Sequence, residues 1–274
     1  MKIGICPWIS YKDVPLDETF RLIKAAGFAA TCLWWGDIDG VLDKRKQPKL
    51  ARGIGLEIDN IHAPSANASS VWQEGFDGDV YRDMLISCVN DCAAYQIPSA
   101  VIHLTSMPPY PPVSDIGLRR IVKIIEAAEQ KNVKLAFENL WSPDHLAAVF
   151  NHFSSPNVGL CYDSGHENVN RPYDALGLYG DRLFAVHIND NFADPIKPDG
   201  TPNWDCDAHV LPRDGTIDWV DKMRRLKECK RIEYFTLEVD FNRKHEGAAI
   251  YNDLSAEAYL ARAYERAVKL LELV

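Results

Sequence analysis

No apolar run in this 274-residue chain approaches the length of a membrane-spanning helix, so no membrane association is expected. The opening Met1-Lys2-Ile3-Gly4-Ile5-Cys6-Pro7 lacks the apolar stretch of a secretion leader and reads as a first β-strand. No Cys-x-x-Cys pair occurs among the seven cysteines. Their odd, scattered count points to reduced thiols in a cytoplasmic protein. A Gly-rich phosphate cradle of the G-x-G-x-x-G type is also missing. Positive charge is short, with 30 Lys and Arg against 39 Asp and Glu and a net charge of −9. Acidity on that scale disfavours a nucleic-acid partner, because Lys and Arg drive phosphate binding. A local basic groove or a metal cluster on an acidic protein would still permit one.

What is present is a regular alternation. Short, continuously apolar runs at 2–7, 29–34, 56–61, 100–105, 133–138, 158–162, 183–188 and 234–239 read as strands buried on both faces. Amphipathic segments at 17–26, 41–53, 78–95, 115–131, 143–152, 172–180, 217–228 and 255–272 read as helices between them. Ser114, Ser142-Pro143 and Ser255 stand where N-caps belong, and Gly27 and Gly53/Gly55 where helices end. Eight strands and eight helices predict an α/β fold of the (β/α)₈ (TIM) barrel type, in one domain spanning 1–274. Long segments at 62–77, 105–114, 189–216 and 240–254 all follow strands, as in a barrel with one working face.

Nine residues of metal-ligand type lie at or just beyond these strands: His62, His103, Glu138, Asp163, His166, His187, Asp207, His209 and Glu238. Imidazole and carboxylate suit a divalent cation. Only a fold that gathers strand ends at one mouth could bring them together. Each has a plainer reading. Glu138 and Glu238, closing the apolar runs Lys134–Phe137 and Tyr234–Leu237, either face the mouth or pair with a nearby cation. Asp163 and His166 either face one centre across a tight Gly-containing turn or are a helix cap and an incidental His. His187 alone would pass for a core histidine, and Asp207-x-His209 for a solvated loop. The argument rests on their joint occurrence. His145, His152 and His245 are expected at the surface. Trp8, Trp34, Trp35, Trp72, Trp141 and Trp204 fall at strand ends or in the loops beyond them, where aromatic faces suit a sugar or a base, or pack loop on loop. Trp219 is expected in a helix core, and Arg243 and Lys244, after the last strand, either meet a phosphate or are solvated loop residues.

On these residues the chain resembles the xylose-isomerase-like barrel superfamily, which includes sugar isomerases and epimerases, inosose-processing enzymes and endonuclease IV. The resemblance implies one divalent ion on Glu138, Asp163, His187 and Glu238. It also implies an acid/base pair in Glu138 and Glu238 working through a cis-enediolate, with His166 on a substrate oxygen. The endonuclease branch implies a three-zinc set that adds His62, His103, His166, Asp207 and His209. The stretch Leu211-Pro-Arg213-Asp-Gly215-Thr-Ile217-Asp-Trp219 resembles a family loop, with Arg213 where the resemblance places Gly. The expectation is therefore a metal-dependent isomerase or epimerase of a small sugar or polyol-derived substrate. An endonuclease IV-like phosphodiesterase is the alternative. Several histidines favour Zn²⁺ or Mn²⁺ over Mg²⁺, with Co²⁺ also compatible. The acidic Trp34-Trp35-Gly36-Asp37-Ile38-Asp39 stretch stands against a DNA-facing loop. Oligomeric state is not fixed by the sequence.

Overall fold

The computed structural model describes every residue except 8–13, 37–42, 107, 171–172, 195, 197–199, 201–202, 204–205, 242–245 and 274, and the side chains of 246–248 also lie outside the description. Trp8, Trp204, Asp37, Asp39, Arg243, Lys244 and His245 are therefore outside the described residues.

Eight parallel strands close into a barrel in sequence order, β1 (Lys2–Ile5), β2 (Ala30–Trp34), β3 (Glu57–His62), β4 (Ser99–Ile102), β5 (Lys134–Glu138), β6 (Val158–Asp163), β7 (Leu183–Ile188) and β8 (Tyr234–Leu237). The last pairs back onto the first, with Lys2 beside Tyr234 and Ile5 beside Leu237. The predicted (β/α)₈ architecture is thus observed. Nine α-helices are found among the described residues: α1 (Leu16–Ala25), α2 (Gln47–Ile54), α3 (Phe76–Ala94), α4 (Asp115–Lys131), α5 (Pro143–His152), α6 (Ser164–Val169), α7 (Ala175–Tyr179), α8 (Trp219–Glu228) and α9 (Ala256–Leu271). None is long and apolar enough to cross a membrane.

Each outer helix turns one apolar stripe to the barrel. On α4, Ile121, Ile124, Ile125 and Ala128 recur at the helical period and are buried. Burying each such isoleucine contributes about 2 kcal/mol before the cost of ordering it. Ser114 caps this helix by accepting from Gly117 N at 3.2 Å, and Ser255 caps α9 by accepting from Ala258 N at 3.3 Å. Ser142 does not cap α5. Its hydroxyl donates instead to Nδ1 of His145 at 2.8 Å, because the other ring nitrogen of His145 donates to Pro111 O at 2.9 Å. His145 is therefore not a surface residue as expected. It is buried at 3% exposure and ties the loop after β4 to the start of α5. His152 is exposed.

Inside the barrel, side chains stack in layers. Small side chains pack together there, Ala136, Cys161 and Ala185 with Val101, while Gly4 lies beside Ala30. Gly4 is required there, since a Cβ would lie 2.8 Å from Thr236 Oγ1. The register between β2 and β3 slips by one residue, so that Thr31 faces Ile58 but Leu33 faces Ile61. This bulge breaks the in–out alternation at Asp59 and Asn60, both buried. Asp59 accepts from Thr236 Oγ1 at 2.7 Å. The cysteines also depart from expectation. Cys6 and Cys32 are joined in a disulfide, with Cα atoms 5.1 Å apart on the adjacent first two strands. The other five remain thiols.

Candidate metal centre

The barrel mouth collects all nine predicted ligand residues. Glu138 and Asp163 end β5 and β6, His62 ends β3 and His187 sits near the end of β7. His103 and Glu238 follow directly on β4 and β8. Glu138, Asp163, His187 and Glu238 are buried, and each has a ligand atom within 4.8 Å of the others. Four further groups lie as close together: His62, His103 and Glu138; His166, Asp207 and His209; and two that include a cysteine, Cys6 with His187 and Glu238 and Cys161 with Glu138 and His187. Glu138 belongs to three of these groups. Its Oε2 lies 2.9 Å from His103 Nε2 and 3.5 Å from His62 Nε2, and its Oε1 lies 3.3 Å from both His166 Nδ1 and His187 Nδ1.

Local structure aims each of these side chains. The expected tight turn after Asp163 is instead the first turn of α6. Asp163 is its N-cap, with Oδ1 accepting from His166 N at 2.7 Å. The helix-cap reading of Asp163 is observed, and the cap sets His166 Nδ1 3.6 Å from Asp163 Oδ1 and 3.3 Å from Glu138 Oε1. The other carboxylate oxygen of Asp163 accepts from Asn189 Nδ2 at 2.8 Å, while Asn139 bridges β5 to the Asp163 backbone. Gly165 is required beneath, because a Cβ would come within 2.0 Å of Asn189 Oδ1.

The loop bearing Asp207 and His209 is held by Asp190. Its carboxylate accepts from Arg213 N, Ile217 N and the indole of Trp219 at 2.8–3.1 Å. Arg213 adopts φ +73°, in the left-handed region that favours glycine, which explains why the family loop is expected to carry Gly there. Trp219 is buried at the head of α8. The supporting residues Asn139, Asn189 and Asp190 escaped the sequence reading. Their one visible signal is their place within three residues after Glu138 and His187 in the sequence.

The hydrogen bonding of two histidines tests whether this set suits a cation. Nδ1 of His62 lies 2.9 Å from Ala63 O, and Nδ1 of His209 lies 2.9 Å from Glu238 O. A carbonyl accepts only, so both Nδ1 atoms carry the proton. In the neutral rings the lone pairs are then on Nε2. These lone pairs face carboxylates, His62 toward Glu138 at 3.5 Å and His209 toward Asp207 at 3.1 Å. Acceptor facing acceptor needs a proton or a cation between. Outer carbonyls fixing the tautomer of a ligand ring are the usual support of a metal site. The donor set fits a divalent ion.

Electrostatics agree. Burial alone would raise Glu138, yet His187 and His103 hold it well below the usual carboxylate range. Glu238 is likewise brought down to about 2, mainly by His187 against its burial. Burial pushes Asp163 up to about 7, with Glu138 and Glu238 adding to the rise. His166 sits well above its ordinary value because Asp163 and Asp207 outweigh its burial. His103 is lowered, chiefly by burial.

Above these residues opens a cavity of about 660 Å³, walled by Trp34, Ser65, Thr105, Tyr110, Trp141 and Asp240 along with the ligand residues. Among the described residues its wall contains no Lys or Arg. Trp34 stacks on the His62 ring at 5.3 Å. Trp35 and Trp72 turn away into packing, their indoles donating to Asp91 and to Leu104 O. A second cavity of about 500 Å³ at the other end of the barrel has Leu183, Met223 and Phe235 among its lining and lacks a ligand cluster.

A family model described as xylose isomerase-like TIM barrel matches residues 20–262. The chain belongs to that family. The uncharacterized protein y4fM of Sinorhizobium fredii is 31% identical over 153 residues, covering 53% of this chain. The match spans 43% of that relative, less than half its length. Among solved structures, the IOLI protein with a bound zinc atom superposes with a TM-score of 0.78 at 18% identity, covering 99% of this chain and 98% of that one. D-Psicose 3-epimerase from Clostridium cellulolyticum H10, solved with D-tagatose, gives 0.75 at 13% identity, covering 100% and 99%. At these identities the likeness establishes the shared fold.

Proposed function

We propose that the chain is a divalent-metal-dependent isomerase or epimerase acting on a small polyhydroxy carbonyl compound, a sugar or inosose, through a cis-enediolate. The observation that carries this reading is the convergence of Glu138, Asp163, His187 and Glu238 within 4.8 Å. Both glutamates also line the cavity. These four residues would hold the ion. Zinc or manganese suits a mixed imidazole and carboxylate set better than magnesium, and cobalt is compatible. When bound, the ion supplies a Lewis acid that polarises the substrate carbonyl and offsets negative charge on its oxygens.

The chain's own residues would do the rest. One of Glu138 and Glu238 takes the proton from the carbon beside the carbonyl, and the C–H electron pair moves into the new C=C bond of the enediolate. The other glutamate, after acquiring a proton from water or a substrate hydroxyl, delivers it to the neighbouring carbon or to the opposite face. Both stay ionised at neutral pH, as a base must, because His187 opposes their burial. His166, held protonated by Asp163 and Asp207, donates to a substrate oxygen. Trp34 and Trp141 offer flat faces to the apolar side of a sugar ring. A wall without Lys or Arg among the described residues favours the uncharged sugar over its phosphate. Several structural neighbours are named as sugar 3-epimerases, which agrees with this substrate class.

A second reading is phosphodiester hydrolysis at abasic DNA, and one observation favours it. The groups His62–His103–Glu138 and His166–Asp207–His209 provide two more ligand clusters beside the first. Against it stand a cavity wall without Lys or Arg among the described residues and the net charge of −9. Protein reconstituted separately with zinc, manganese and cobalt should convert at least one member of a panel of pentoses, hexoses and inososes. The panel should include phosphates and run beside a duplex bearing an abasic site. Efficient strand cleavage with no reaction across the sugar panel would replace the first reading by the second.

A further inference from the structure

Beneath the carboxylates and imidazoles lies a layer of sulfur that the proposed chemistry does not use. Cys6 follows β1 in register with Cys32 of β2, since Gly4 pairs with Ala30 and Ile5 with Thr31. Both side chains are fully buried, and they are joined to each other. Cys6 is anchored from the opposite side too, its N–H donating to Leu237 O at 2.8 Å. That places its sulfur against β8, whose next residue is Glu238. The Cys6 sulfur, a nitrogen of His187 and an oxygen of Glu238 all lie within 4.8 Å of one another. Ligands at about 2.0–2.3 Å from one zinc ion must stand no farther apart than about 4.6 Å, so a small adjustment of the Cys6 side chain suffices. The disulfide holds that sulfur away from such a role, because a disulfide sulfur is a poor ligand and a thiolate a strong one.

We propose that Cys6 and Cys32 form a reversible redox pair whose reduction releases Cys6 as an additional thiolate ligand, acting with His187 and Glu238 on a thiophilic divalent ion. The inference rests on the reading of Glu138, Asp163, His187 and Glu238 as a metal site. A dithiol reductant breaks the S–S bond, gives up two electrons and two protons, and becomes a cyclic disulfide. Two thiols result, and Cys6 loses its proton to water when it binds the ion. Under oxidising conditions the centre is an oxygen and nitrogen site suited to harder ions. Under reducing conditions it gains a sulfur and shifts toward zinc. Cys32 is the resolving partner and takes no ligand role. Cys161, which forms a comparable group with Glu138 and His187, is a thiol in either state and serves as the control.

The test is cobalt substitution with optical spectroscopy on the full chain, beside a count of thiols under denaturing conditions. Unreduced protein should show five thiols and reduced protein seven, from the two joined and five unjoined cysteines. Cobalt should give ligand-field bands in both states. Only reduced protein should add a sulfur-to-cobalt charge-transfer band in the near ultraviolet. Cys6→Ser should lose that band, Cys161→Ser should keep it, and Cys32→Ser should show it without any reductant. Circular dichroism identifies a variant that has not folded, and Cys32→Ser then carries the test alone. Ligand-field bands without a charge-transfer band in reduced protein would overturn this inference and leave the metal site standing. Absence of any cobalt bands would overturn both. Seven thiols before reduction would show that no disulfide forms and overturn the switch.

Discussion

Replacing Asp59 by Asn should stabilise the protein above about pH 6 and leave it nearly unchanged near pH 4. Asp59 is buried inside the barrel, and its carboxylate accepts a hydrogen bond from Thr236 at 2.7 Å. Burial raises its carboxyl from 3.8 to about 6, with Thr236 and His187 only partly opposing the rise. Here the folded value lies above the unfolded one. The folded state therefore binds the proton more tightly, and stability falls as pH rises through the interval from about 4 to about 6. A difference of about two pH units corresponds to about 3 kcal/mol when the group is fully ionised. Asn keeps the oxygen that accepts from Thr236 and cannot ionise, so it escapes that cost. Urea unfolding of both proteins with a chelator present, at steps from about pH 4 to about pH 8, isolates the residue by difference. The gap between the two should open from near zero to about 3 kcal/mol in favour of the variant. Parallel curves across the whole range would show that Asp59 does not carry the charge cost assigned to it.

Glu238→Gln should fold normally and lose turnover by a factor of at least about 100, because the amide removes a base while keeping the shape; steady-state rates on the converted sugar check this. Asp190→Asn places an amide NH₂ against the donors of Trp219, Ile217 and Arg213, and should loosen the Asp207–His209 loop. Turnover should then fall, because His166 loses the Asp207 partner that holds its ring at 3.2 Å, while metal content by mass spectrometry stays unchanged. Arg120→Met should cost about 3 kcal/mol in urea unfolding. The buried guanidinium donates to Val71 O, Gln73 O, Gly75 O and Asp79, and so ties α4 to the loop after β3.

The strand positions, and the gathering of the candidate ligand residues at one mouth, were legible because a buried parallel strand is a continuous apolar run, and a polar residue closing such a run has few places to point. Glu138 after Leu135-Ala136-Phe137 and Glu238 after Phe235-Thr236-Leu237 are of this kind. What was not legible depends on three-dimensional neighbours. Ser164-Gly165 looks like a turn, and its helical conformation is imposed by the Asp163 cap and by Asn189 crowding Gly165. The bulge in β3 follows from register against β2, which no single strand encodes. The disulfide pairs cysteines 26 residues apart because parallel pairing sets the end of β1 beside β2. His145 is buried because the loop around Pro111 folds over α5, a long-range event without local sequence pattern.

Central to the account is proton transfer at a carbon beside a carbonyl, and solvent deuterium reports it most directly. A ketose turned over in D₂O by the metal-loaded protein should acquire deuterium at the carbon adjacent to the carbonyl, read by NMR or mass spectrometry. Glu238→Gln should abolish the label together with turnover. Turnover without any label in substrate or product would remain compatible only with a base sealed from water throughout the cycle, and a sugar tritiated at that carbon would then carry its label to the product. A ketose bound by the loaded protein that neither exchanges in D₂O nor transfers its tritium would contradict the account.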